Sequence, residues 1–157
     1  MSSVFLSKKL IVGIIIFLAV SLVILGYSVT FYSGGNPSTS PSLTITKSDC
    51  NRPSGFILII ADLSGFNGSI SHGAPLHPWP VIHVKRGQMV RFVVCNHDAT
   101  QPHGFAIRHY LDAGVAMAPG EAYQIVFQAT ETGTFDIYCN IFCTIHVFMR
   151  GQLIVSD

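Results

Sequence analysis

Charge is what this chain has least of: nine Lys and Arg stand against eight Asp and Glu, 11% of 157 residues, for a formal net charge of +1. Basic residues adjoin only at Lys8-Lys9 and Lys85-Arg86, so no Lys/Arg-rich face of the kind that tracks a phosphate backbone can be assembled, and nucleic acid is not an expected partner. The acidic residues are too few and too scattered for a paired-carboxylate hydrolytic site. No nucleophile, base and orienting group stand at spacings that would make a triad. Internal repeats are absent, Trp occurs once and Cys four times.

Apolar residues fill the space that charge leaves, at 49% of the chain. Part of the excess is one run. Residues 10–32 carry no charge and are long enough to cross a hydrocarbon core of about 30 Å as a helix. A cleaved signal peptide is the competing reading, but the run is longer than a signal core and no small-x-small site follows it directly, so it reads as an uncleaved anchor. Lys8 and Lys9 precede it, which by the positive-inside rule leaves the N-terminus in the cytoplasm and the rest outside. Residues 33–42 have the Ser, Gly and Pro content of a flexible linker. The expected organisation is a cytoplasmic N-terminus and single transmembrane helix at 1–32, a linker at 33–42, and one extracytoplasmic domain at 43–157 held at the cell membrane.

Within that domain, short apolar runs at 43–46, 56–61, 80–84, 89–95, 104–107, 123–129, 134–139 and 152–155 are broken by turn residues such as Lys85-Arg86-Gly87, Ala118-Pro119-Gly120 and Glu131-Thr132-Gly133. Tyr123, Ile125, Phe127 and Ala129 alternate with Gln124, Val126 and Gln128, the pattern of a half-buried strand. This spacing predicts an all-β antiparallel sandwich. Residues 64–80, rich in Gly, Ser and Pro and holding His72, His77 and Trp79, read as a long loop in which the histidines are solvated and Trp79 is either a surface aromatic for docking an electron donor or a plug on the core.

The chemistry concentrates at 134–151, where Cys139, Cys143, His146 and Met149 fall in one loop between two strand-like runs. Thiolate, imidazole and thioether together are the donor set that copper prefers; Met is a poor zinc ligand, and a closed zinc site would want another Cys or His. His103, which follows the turn-like Asp98-Ala99-Thr100-Gln101-Pro102 and opens a strand, is the expected remote ligand, with His97 as the fallback. The bland alternative is a core or disulfide pair of cysteines. Cys50 and Cys95, outside the loop, are expected to pair in an oxidising compartment. Asn67-Gly68-Ser69 matches a glycosylation acceptor, a pattern short enough to recur by chance.

Pro102-His103-Gly104-Phe105, Ala118-Pro119-Gly120-Glu121, Gly133-Thr134-Phe135 and Cys139-Asn140-Ile141-Phe142-Cys143, with His146 and Met149, resemble the copper domain of cytochrome c oxidase subunit II, the CuA type. The resemblance covers roughly the last half of the chain. It implies a cupredoxin-like Greek-key β-sandwich in which two coppers share both thiolates. His103 and Met149 would complete one copper; His146 and the backbone carbonyl of Ile141 would complete the other. It also implies an electron-transfer role without catalysis in this chain alone, between an external donor, cytochrome c or a small copper protein, and subunit I of a haem-copper oxidase. One spacing departs from the family: only Thr144 and Ile145 separate Cys143 from His146, where three residues are usual. That shorter loop is similar to amicyanin, a mononuclear blue-copper protein, and leaves a membrane-anchored single-copper carrier as the alternative. Two coppers are the preferred expectation, because one copper needs one thiolate and would leave the other as an oxidisable neighbour. A copper chaperone is a third reading, disfavoured by a loop clamped between strands.

Overall fold

Ten strands form in a computed structural model that describes residues 42–157; the expected anchor at 10–32 and all but the last residue of the expected linker lie outside the described residues. In chain order they are β1 (Thr44–Ser48), β2 (Ile57–Asp62), β3 (Gly65–Phe66), β4 (Val81–Lys85), β5 (Met89–Asn96), β6 (His103–Ile107), β7 (Leu111–Met117), β8 (Ala122–Gln128), β9 (Gly133–Tyr138) and β10 (Arg150–Ser156). One five-stranded sheet runs β1-β8-β5-β2-β3 and the other β4-β10-β9-β6-β7. Most neighbours are antiparallel, but β2 lies parallel to β5 and β4 parallel to β10, so the all-antiparallel expectation is corrected at those two pairs.

Alternation along each strand decides which side chains fill the space between the sheets. Val90, Phe92 and Val94 of β5, Ile125 and Phe127 of β8, and Leu153 and Val155 of β10 all belong to one buried cluster. Phe105 sits within it at 5.7 Å from both Phe66 and Phe92, edge-on or tilted, an arrangement that favours aromatic pairs. Strand β5 also buries its other face. Val93, Cys95 and Ala122 form a second cluster covered by Cys50, Phe56, Leu58 and Ile60. That second layer explains why residues 89–95 read as a nearly continuous apolar run. Cys50 and Cys95 are joined there by a disulfide, with Cα atoms 5.5 Å apart, tying the segment before β2 to the centre of its sheet.

Two strands were not expected from the sequence. β3 is only two residues long, and β7 reads Leu-Asp-Ala-Gly-Val-Ala-Met, poor in β-branched and aromatic residues. What holds β7 extended is its pairing with β6, His103 opposite Met117 and Phe105 opposite Val115. The 64–80 segment is a succession of turns: Ser69, Ser71 and Gly73 N–H groups donate to the carbonyls of Phe66, Gly68 and Ile70. Asn67 takes the left-handed conformation at φ 48°, its side chain accepting from Ile60 N at 2.7 Å and donating to Leu58 O at 3.1 Å. Its amide is thereby occupied by the fold, and Ser69 is fully buried.

Phe92→Ala empties a fully buried aromatic site between two other phenylalanines. Its expected cost is about 3–5 kcal/mol, read as a lowered denaturant midpoint with an unchanged slope; a loss below ~1 kcal/mol would show that the two sheets do not pack through this residue.

Candidate metal centre

β6 and β9 are neighbours in one sheet, with Ala106 opposite Tyr138, so the start of β6 and the end of β9 lie at the same edge. His103 opens β6, and the loop that holds Cys139 to Met149 leaves β9 there before returning as β10. The two segments are tied directly: Gly104 N–H donates to Cys139 Sγ at 3.2 Å, while Thr144 N–H and Oγ1 reach Gln101 Oε1 at 3.3 and 3.0 Å. From behind, Asn96 Nδ2 donates to Gln101 O and to Met117 O, fixing the β5–β6 connection.

The structure brings His103, Cys139 and Cys143 together with one ligand atom of each within 4.8 Å of the others. The two sulfurs are 3.7 Å apart, and Cys143 Sγ lies 3.7 Å from Met149 Sδ. All four side chains are buried. Ile141 O accepts from Cys139 Sγ at 3.2 Å and from His146 Nδ1 at 2.8 Å. His146, on a short 3-10 turn (His146–Phe148), therefore meets the cysteines through the Ile141 carbonyl and stands outside the tight three-residue group, half-buried at its solvent side. His97, the fallback ligand, is exposed and groups with Cys50 and Cys95 instead.

Asp98, which in the sequence is only part of a turn-like run, orders this site. Asp98 is buried, and its Oδ2 lies 3.1 Å from His103 Nε2; its Oδ1 accepts from Thr100 N, Thr100 Oγ1 and Gln101 N. The backbone donors of Thr100 and Gln101 lower the Asp98 pKa to about 2, with His103 adding to the effect, so the carboxylate is ionised and can only accept. Nε2 of His103 must then carry the proton. Nδ1 is left as a bare acceptor, and it is fully buried with no hydrogen-bond partner among the described residues. An orphaned lone pair on a histidine grouped with two cysteine sulfurs is what a metal would satisfy, and a carboxylate bonded to the other ring nitrogen is the usual device for fixing the ligating one. The only sequence signal was an Asp five residues before the candidate His in a turn, which is too common to single out.

Burial first, and the neighbouring Cys139 second, push the Cys143 thiol well above the ordinary thiol range. Two thiolates 3.7 Å apart in an apolar pocket would repel, and a cation bound between them would offset that repulsion. Three sulfur donors with imidazole and carbonyl are a soft set, and the residues present fit copper better than zinc. Trp79 resolves its two sequence readings into a third: partly exposed, it stacks on His72 at 4.0 Å and donates from Nε1 to Asn67 O. Its backbone N–H also donates to Arg150 O at 2.8 Å, one residue past Met149.

Residues 79–155 match the family model of a cupredoxin-like domain. Among solved structures the chain is similar to a chain from a heme-copper terminal oxidase dimer, 17% identical with a TM-score of 0.50, over 90% of this chain and 96% of that one. It is also similar to a reduced amicyanin mutant, 26% identical with a TM-score of 0.46, over 73% of this chain and 98% of that one. A Cu-containing nitrite reductase from Thermus scotoductus SA-01 is 13% identical with a TM-score of 0.50, over 64% of this chain and 30% of that one.

Asp98→Asn keeps the shape of the carboxyl but offers an N–H toward His103 Nε2. The imidazole then carries its proton on Nδ1, and metal affinity should fall by about 10–100-fold, measured by competition with a chelator at neutral pH. The carboxylate's folded pKa is depressed to about 2 from the ordinary aspartate value, so its stabilisation is complete above the unfolded value and lost as pH falls from there toward the folded one. Acid titration of the metal-free protein should show that loss between about pH 4 and 2, and the Asn variant should be flatter over the same range.

Proposed function

We propose, from the match of residues 79–155 to the model of a cupredoxin-like domain, that this chain is the copper electron-transfer subunit of a membrane terminal oxidase. It would take electrons from an external donor, cytochrome c or a small copper protein, and pass them to the haem-copper core subunit. The observation that carries the reading is the pair of buried cysteine sulfurs 3.7 Å apart with further donors on different sides: Met149 Sδ beside Cys143, and the Ile141 carbonyl with His146 beside Cys139. Two donor sets around one shared pair of sulfurs suit two copper ions. Copper held there would supply reversible uptake and release of one electron at a time.

The protein's own part is to hold those donors still. Cys139 and Cys143 give up their protons on loading, and the Gly104 N–H placed on Cys139 Sγ favours the thiolate. Asp98 keeps the His103 proton on Nε2 and the lone pair on Nδ1. β9 and β10, paired from Arg150 opposite Tyr138, clamp the loop at both ends. A site on paired strands changes little in shape when its charge changes, which suits electron transfer and disfavours a chaperone that must release its metal. The oxidase assignment is supported by the ligand-loop resemblance and by a fold shared with a chain from a heme-copper terminal oxidase dimer. In this reading residues 10–32 anchor the protein as a single span, 33–42 are the linker, and the domain from 43 onward lies on the extracytoplasmic side of the cell membrane.

The two-residue gap between Cys143 and His146 favours the second reading, an anchored carrier with one copper. Copper-to-protein stoichiometry of the loaded chain separates the two. Two copper ions per chain are expected, falling when Cys139 is replaced by Ser. One copper per chain, unchanged by Cys139→Ser and showing hyperfine splitting from a single copper nucleus, would overturn the binuclear site and leave the single-copper carrier in its place.

A further inference from the structure

A second group of metal donors lies apart from the loop. Cys50, Cys95 and His97 have one ligand atom each within 4.8 Å of the others, and His97 Nε2 is 3.0 Å from Cys50 Sγ. The arrangement follows from strand geometry. Cys95 and His97 are two apart at the end of β5, and His97 N–H still donates to Ala61 O at 2.9 Å, so the chain remains extended and the two side chains share a face. That is the face of the second apolar cluster, where the segment carrying Cys50 lies over it.

We propose that Cys50, Cys95 and His97 form a redox-gated Cu(I) site, closed as the disulfide and open as the dithiol. In the closed form each sulfur spends a valence on the other and only the imidazole can bind. A dithiol reductant opens it: the Cys50–Cys95 S–S bond takes two electrons and two protons and becomes two thiols, while the reductant's two thiols become its disulfide. Cu(I) then binds with loss of both thiol protons to solvent and no change in its oxidation state. The donors become two thiolates and a neutral imidazole.

Donor chemistry selects the ion. Thiolates favour Cu(I), which accepts low coordination numbers, whereas zinc seeks four ligands. The nearby carboxylates are already engaged, Asp62 by Ser64 N–H and hydroxyl and Asp98 by Thr100, Gln101 and His103. Access is open from one side: His97 is exposed, Cys50 is half-buried, and His97 lines a surface cleft of about 490 Å³ with Asp62, Ser64 and Thr100. The site shares the β5–β6 connection with the main centre, since His97 adjoins Asp98, which holds His103. It does not depend on how many coppers the Cys139–Cys143 loop takes.

The test uses the full chain in detergent with the Cys139–Cys143 site loaded first. Cu(I) is then titrated against a chromogenic Cu(I) chelator before and after reduction of the disulfide with a water-soluble phosphine. Reduction should add one Cu(I) per chain, and His97→Ala, a change at an exposed position, should weaken that added ion by at least about tenfold, the equivalent of about 1.4 kcal/mol. No added copper on reduction, or added copper that ignores His97→Ala, would overturn the site. So would copper uptake accompanied by loss of the β-sheet circular dichroism, which marks an unfolded chain, or equimolar Zn(II) displacing the ion.

Discussion

The hydrogen bond from Gly104 N–H to Cys139 Sγ joins the start of β6 to the end of β9, and the candidate metal centre depends on that closeness. A side chain at position 104 would prevent it. A Cβ built there would lie 2.2 Å from Asn140 Oδ1 and 2.8 Å from Asn140 N, so only glycine lets the two backbones approach. Asn140 is packed from the other side as well: a Cβ on Gly114, which has φ 65°, would meet its amide, and Asn140 Nδ2 donates to Ala113 O across β7. The unforeseen strand β7 thus has a purpose in the geometry. It backs Asn140, the residue after Cys139, and through Met117 O it accepts from Asn96, which holds the connection leading to His103.

Two groups of the site, Asp98 and Cys143, are pushed in opposite directions by their surroundings. Asp98 receives backbone donors and stays ionised; the proton of the hydrogen bond it accepts from His103 then sits on Nε2; the Cys143 thiol, raised by burial, stays neutral until a cation arrives. Such a site has no cheap way to satisfy the His103 lone pair by itself, because water is excluded and no donor reaches Nδ1 among the described residues. Metal affinity and local stability are therefore coupled through the same few atoms. The second cysteine pair is handled oppositely, its sulfurs satisfied by each other beside an exposed imidazole.

The candidate donors could be picked out of the sequence because they are local. Cys139, Cys143, His146 and Met149 lie within one loop, and a soft set at that spacing points to copper whatever surrounds it. Strand alternation in Tyr123 to Ala129 likewise marked its own buried face, since period-two patterning needs only neighbours in the chain. Tertiary structure decided what depends on contacts between distant segments. β7 has a single β-branched residue, Val115, and exists because β6 pairs with it; the parallel pairs β2–β5 and β4–β10 arise from crossovers that no local pattern encodes. Asp98 became the partner of His103 only once the turn around Thr100 folded, and His97 met Cys50 only after a segment from before β2 was laid over β5. A sequence sets which atoms can donate electrons to a metal; the fold sets which lone pairs remain free and point the same way.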